Sequence, residues 1–199
     1  MKLPGSNLVG LLVATSFAAG LNVYATVATL GLLARAGIVA LPATLQVLAS
    51  WYVIAAAGVL FAIEFFADKI PAFDLIWNAL HTFIRVPIAA LLAYRATAQL
   101  SPTEQLLAAL VGGLIALAAH GGKTAVRAAV TPSPEPLSNV TLSLGEDVLA
   151  VFLTWFAAKH PYIAAGLVIW LLLITVVLIR WVVRSLRALF RGASRELAA

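Results

Sequence analysis

The chain has 199 residues, 63% of them hydrophobic and only 11% charged, with a net charge of +5 and a mean hydropathy of +1.03. A soluble domain carries about 45–50% apolar and about 25% charged residues, and at this size it leaves roughly 30% of its chain surface in water. The composition therefore excludes a soluble enzyme, a disordered chain and a disulfide scaffold, and calls for lipid as the main solvent. The absence of cysteine removes thiolate chemistry and Cys-ligated zinc, and the scattered positive charges do not make a nucleic-acid surface.

A spanning helix needs about 20 mostly apolar residues, and six such segments can be read in chain order, over about 7–36, 43–66, 73–96, 102–129, 144–158 and 162–183. They predict an all-α, polytopic transmembrane helix bundle with broken or kinked helices, in a single domain over 1–199. Lys2 and the following apolar run imitate a signal peptide, but the apolar character continues to Leu33, so a retained first span is expected. Pro87 lies inside the third segment and should kink it. Ser101-Pro102-Thr103-Glu104 predicts a capping box at the start of the fourth segment. Ser143-Leu144-Gly145-Glu146 predicts a second one, opening a short fifth helix. Between them Thr131-Pro132-Ser133-Pro134-Glu135-Pro136-Leu137-Ser138-Asn139 should stay extended, as a surface loop or a re-entrant stretch lining a cavity. Pro71 and Pro161 follow apolar runs, where proline stops a helix.

Six spans put both termini on one side. That side collects Lys2, Lys69, Lys123, Arg127, Arg180, Arg184, Arg187, Arg191 and Arg195, against Arg35, Arg95 and Lys159 on the other. The positive-inside rule makes both termini cytoplasmic. Ala67-Asp68-Lys69-Ile70-Pro71 aligns with Ala157-Ala158-Lys159-His160-Pro161 at an offset of 90, which suggests halves 1–100 and 101–199 as an inverted three-plus-three repeat.

The charges that hydrocarbon disfavours carry the functional information. An ionisable group in a span costs at least about 2.5–3.5 kcal/mol and usually faces a cavity or a partner. Glu64 and Asp68 are four apart and share a helix face, with Lys69 beside them. Asp74, Asn78, His81 and Arg85 step by four, three and four along one face of the third segment. His120, Lys123 and Arg127 form a cationic face on the fourth, after Gly112-Gly113 and around Gly121-Gly122. At about 1.5 Å per residue Arg127 is about 37 Å from Pro102, past a core about 30 Å thick, so it is expected at the interface. Glu146 is explained by its capping box; Asp147 is not. Arg180, Arg184, Arg187, Arg191 and Arg195 punctuate an apolar stretch and predict an amphipathic tail, over 184–199 beyond the last span, on an anionic leaflet.

These clusters resemble a family of small polytopic bacterial membrane proteins catalogued only as a domain of unknown function. The likeness rests on Glu64, Asp68-Lys69, Pro71, Asp74, His81-Thr82, Arg85, His120, Lys123, Arg127, Ser133-Pro134-Glu135-Pro136, Ser138-Asn139, Ser143 and Glu146-Asp147. It departs at Thr131, where the family often has Asn, and near Ala89, where it has Gly. The resemblance implies a bacterial inner-membrane bundle and brings no activity. A fainter likeness, through Glu64 to Ile70, is to divalent-cation and proton exchangers carrying Glu-x-Gly-Asp-Lys-Thr, but neither that Gly nor that Thr is present.

Three functions fit the sequence. A transporter or channel for an ion or small polar solute would use Glu64, Asp68, Lys69, Asp74, Asn78, His81, Arg85, His120, Lys123, Arg127, Ser133, Glu135, Ser138, Asn139, Glu146 and Asp147 as its pathway, with His81 or His120 coupling protons. A lipid-headgroup translocase or intramembrane enzyme would hold a phosphate between Lys123, Arg127 and the Ser/Asn-rich segment. A structural or partner-binding protein would use the polar groups as glue. No catalytic or cofactor motif is present, so no enzyme and no cofactor is expected, and any metal is unknown. The expected partners are the phospholipid bilayer, anionic lipid at the tail, the solute and a second copy of the chain.

Overall fold

The computed structural model describes the backbone of residues 5–69, 71–130 and 136–196, and the side chains of these apart from 5–6, 71–75, 128–130, 136–139, 186 and 189–196. Within them the chain is all-α: α1 (Gly5–Leu21), α2 (Val23–Arg35), a 3₁₀ segment (Ala43–Ala49), α3 (Trp51–Ala67), α4 (Pro71–Ala96), α5 (Pro102–Val130), α6 (Pro136–Lys159) and α7 (Pro161–Glu196).

Four of these helices are long and apolar enough to cross a membrane, and the 3₁₀ segment with α3, bent by 62°, makes a fifth. Their outer faces are bare hydrocarbon. Leu106, Leu110, Leu114 and Leu117 on α5, and Trp170, Leu173, Val177 and Trp181 on α7, are all exposed. A water-facing surface of this kind would aggregate; a lipid-facing one is at home. The protein is a membrane protein.

The first predicted span is not one helix. It divides at Asn22, which takes an extended conformation (φ −149°, ψ 104°). The Asn22 side chain accepts the Ala25 N–H at 2.9 Å and so caps α2. α2 ends at Gly37, whose φ of 69° needs a residue without a Cβ. The Ile38 and Gly37 N–H groups return to the Leu33 and Ala34 carbonyls in a Schellman closure.

The Ser101 capping box is present. Ser101 Oγ receives the Glu104 N–H, and Glu104 Oε2 receives the Ser101 N–H at 2.9 Å. The second predicted box is absent. α6 begins at Pro136, two turns earlier, and Ser143 is buried inside the helix. Pro136 supplies a preset φ at the first helical position, so the run 136–139 is helix and not extended chain; residues 131–135, with Ser133 and Glu135, lie outside the described residues. Pro71 and Pro161 likewise open α4 and α7, and Pro87 lies within α4 without ending it.

α1 is the central helix, packed against α4, α5, α6 and α7. Close approach requires small residues. A Cβ on Gly20 would lie 2.4 Å from the Ala116 carbonyl, which brings the break at Asn22 against α5 and its cationic face.

Candidate functional site

The polar faces of α3, α4, α5 and α6 converge on the break at Asn22. Glu64 and Arg85, each 0% exposed, form a direct ion pair. Lys123 is the hub. Its ammonium lies 3.0 Å from Asp68 Oδ2, 3.1 Å from Glu146 Oε2 and 4.0 Å from Glu64 Oε1. Arg127 Nη2 completes the set at 3.2 Å from Asp68 Oδ2 and 2.6 Å from Glu146 Oε2.

The helix break supplies backbone to this cluster. Because Ala25 N–H goes to the Asn22 side chain, the Leu21 carbonyl loses its usual helical donor. Lys123 Nζ donates to it at 3.4 Å. A lysine has three N–H donors; Asp68 and the Leu21 carbonyl accept two of them, and the Glu146 carboxylate lies beside the ammonium. Asn22 Nδ2 donates to Asp147 Oδ1 at 2.8 Å, so one side chain both caps α2 and holds α6.

A second layer lies on α4 and α5. Arg85 Nη1 donates to His120 Nδ1 at 2.8 Å and to Asn78 Oδ1 at 3.3 Å. An arginine only donates, so His120 Nδ1 carries the lone pair and Nε2 the proton. Nε2 then donates to the Asn78 carbonyl at 3.1 Å, with the Thr82 hydroxyl 2.8 Å away. His81 receives the Tyr24 hydroxyl on Nε2 at 3.2 Å and donates from Nδ1 to the Trp77 carbonyl at 2.8 Å.

The network is deep. At about 1.5 Å per residue Arg85 is about 21 Å from the start of α4 and about 16 Å from its end, and Glu146 is about 15 Å into α6. Several of its buried polar atoms find no partner among the described residues: Glu64 Oε2, Arg85 Nε, Ser143 Oγ and Asp147 Oδ2.

Of the residues expected from sequence, Glu64, Asp68, Asn78, His81, Arg85, His120, Lys123, Arg127, Glu146 and Asp147 are brought together. Arg127 is the last residue of the α5 span, as its distance from Pro102 predicts, but its side chain is buried, because α6 presents Glu146 to it. One expectation is corrected. Glu146 is not a helix-capping residue, because α6 starts ten residues earlier, and its carboxylate serves the network. Lys69, half-buried beside the cluster, makes no ion pair among the described residues and donates to the Phe65 carbonyl at 2.6 Å. The side chains of Asp74, Ser138, Asn139, Arg191 and Arg195 lie outside the described residues, while Arg180, Arg184 and Arg187 are exposed on α7. Sequence reasoning missed Asn22 and Tyr24. Asn22 was detectable as the one amide in the run Leu8–Leu33, and a good N-cap there signals a helix start.

Fold and site together define a polytopic helical membrane protein with a buried ion-pair network around a helix break. A family model described as "Domain of unknown function (DUF4126)" matches residues 9–181, and the chain belongs to that family. No curated protein and no solved structure matches it.

Proposed function

We propose that the protein is a transporter or channel that moves an ion or small polar solute past the charged interior. The observation that carries this is the buried cluster of Glu64, Asp68, Glu146 and Asp147 with Arg85, Lys123 and Arg127, built around the break at Asn22. Stability alone is a poor reason for such a cluster. Intramembrane hydrogen bonds average about 0.6 kcal/mol, whereas ionisable groups cost at least about 2.5–3.5 kcal/mol each to insert, and apolar replacement of a buried ion pair is often neutral or stabilising. Broken helices that offer backbone carbonyls to a polar centre are a recurrent feature of transporters. The paired arrangement is the occluded state; a solute enters by exchanging with Lys123 or Arg85 for a carboxylate. His81, between Tyr24 and the Trp77 carbonyl, is the residue through which protons would couple.

The excess of Lys and Arg favours cytoplasmic termini, with the arginines of α7 on the anionic leaflet, and the family resemblance favours a bacterial inner-membrane setting. The three-plus-three repeat remains part of this reading, with α5 opening the second half.

Flux in proteoliposomes across a panel of monovalent ions, divalent ions and small organic acids tests the proposal. Flux above that of empty vesicles is expected, and loss of it in Glu64→Gln and Lys123→Met variants that remain folded. Absence of flux for every solute, or equal flux in the variants, overturns it.

One observation favours a second reading, the handling of lipid headgroups. A groove of about 520 Å³ between α4, α5 and α7 is lined by Asn78, Thr82, His120 and Thr124 together with Leu117 and Ile179. Phospholipid retained through purification and released by His120→Ala would support that reading.

A further inference from the structure

A second groove opens between α3 and α6, which flank it without packing closely on one another. Its volume is about 400 Å³, within the roughly 300–1,000 Å³ of small-molecule sites. The walls are apolar and aromatic: Phe61 and Phe65 from α3, Val151, Phe152 and Trp155 from α6. Among the described residues its one charged lining residue is Asp147.

Asp147 is 5% exposed and takes a single hydrogen bond, from Asn22 to Oδ1. Its Oδ2 has no partner among the described residues, and no cation of the described residues is in ion-pair range of it. The buried cations Arg85, Lys123 and Arg127 are engaged by Glu64, Asp68 and Glu146. The groove therefore borders a buried carboxylate with no ion-pair partner in range among the described residues, an expensive arrangement unless a cation visits it. The aromatic wall suits the same ligand, since a cation over a ring face is attracted by its quadrupole. Lys69 already shows this at the rim. Its ammonium lies 3.1 Å from the Phe65 ring centroid while it donates to the Phe65 carbonyl.

We propose that the α3–α6 groove binds a lipophilic monocation entering sideways from the bilayer, its apolar body against Phe61, Phe65, Phe152 and Trp155 and its charge at Asp147. The inference rests on the transport reading above and names the class of solute admitted. Charge complementarity selects the occupant: a neutral acyl chain would leave Asp147 unpaired, and an anion would be repelled. Asn22 is the positioning residue, because its amide fixes the carboxylate by one oxygen and leaves the other unpartnered.

Equilibrium binding of radiolabelled tetraphenylphosphonium to the full-length protein in nanodiscs tests this. Saturable binding is expected in the native protein. Asp147→Asn keeps an oxygen for Asn22 but removes the charge, and should weaken binding by at least about tenfold. Asp147→Glu should retain binding. Val151→Trp, which fills the groove with an indole, should abolish it. Equal binding to the native protein and Asp147→Asn, or no saturable binding at all, overturns the proposal. Flux of another solute without tetraphenylphosphonium binding sinks the groove and leaves transport standing. Asp147-dependent binding without flux of any solute sinks transport and leaves the groove standing.

Discussion

Replacing Arg85 by methionine leaves Glu64 in a fully buried position without its direct partner. Removing one member of a buried pair costs about 3–5 kcal/mol, mainly because a charge is left uncompensated. Lys123, at 4.0 Å from Glu64 Oε1, moderates this, so the lower end of the range is expected. If Arg85 were only glue, its three side-chain partners, Glu64, Asn78 and His120, would be worth about 2 kcal/mol at the membrane average of about 0.6 kcal/mol each. The double variant Glu64→Gln/Arg85→Met decides between the two. Ionic coupling predicts that it recovers about 1–4 kcal/mol relative to Arg85→Met, whereas glue predicts additive losses. The assay is thermal unfolding in a mild detergent. At about 2–4 °C per kcal/mol for a chain of this size, the single variant should lose about 6–12 °C and the double variant should regain part of it. A loss below about 1 kcal/mol in the single variant, or strict additivity in the double, refutes the reasoning.

Asn22→Ala removes both the cap of α2 and the hydrogen bond to Asp147, and should cost about 1–3 kcal/mol; Asn22→Asp should be worse, because it sets a carboxylate against Asp147. Gly20→Ala drives a Cβ into the Ala116 carbonyl and should destabilise by about 1–3 kcal/mol, whereas Gly145→Ala, which meets nothing within 4 Å, should stabilise α6 by roughly 0.5–1 kcal/mol; unfolding midpoints compare the two. Ser143→Ala should be neutral or stabilising in the same assay, since Ser143 caps nothing and its Oγ is unpartnered; a loss of about 1 kcal/mol, the usual worth of a cap, would restore the capping box.

The sequence by itself determined the solvent, the helical class and the identity of most of the network. Length and apolar composition require lipid, and helical periodicity places Asn78, His81 and Arg85 on one face of α4, and His120, Lys123 and Arg127 on one face of α5. Those statements depend only on local geometry and transfer energy. Tertiary structure decided who pairs with whom. Glu146 looked like a capping residue because Ser143 precedes it at the right spacing, yet helix start points are set by competition, and Pro136 opened the helix first. Arg127 closes the span that starts at Pro102, as distance along one helix predicts, but only the packing of α3 and α6 beside it buries its side chain. Asn22 gained its role from packing as well. An amide in an apolar run can break a helix anywhere, but only the close contact of Gly20 with Ala116 brings that break beside Lys123, and only the position of α6 gives Asp147 to it.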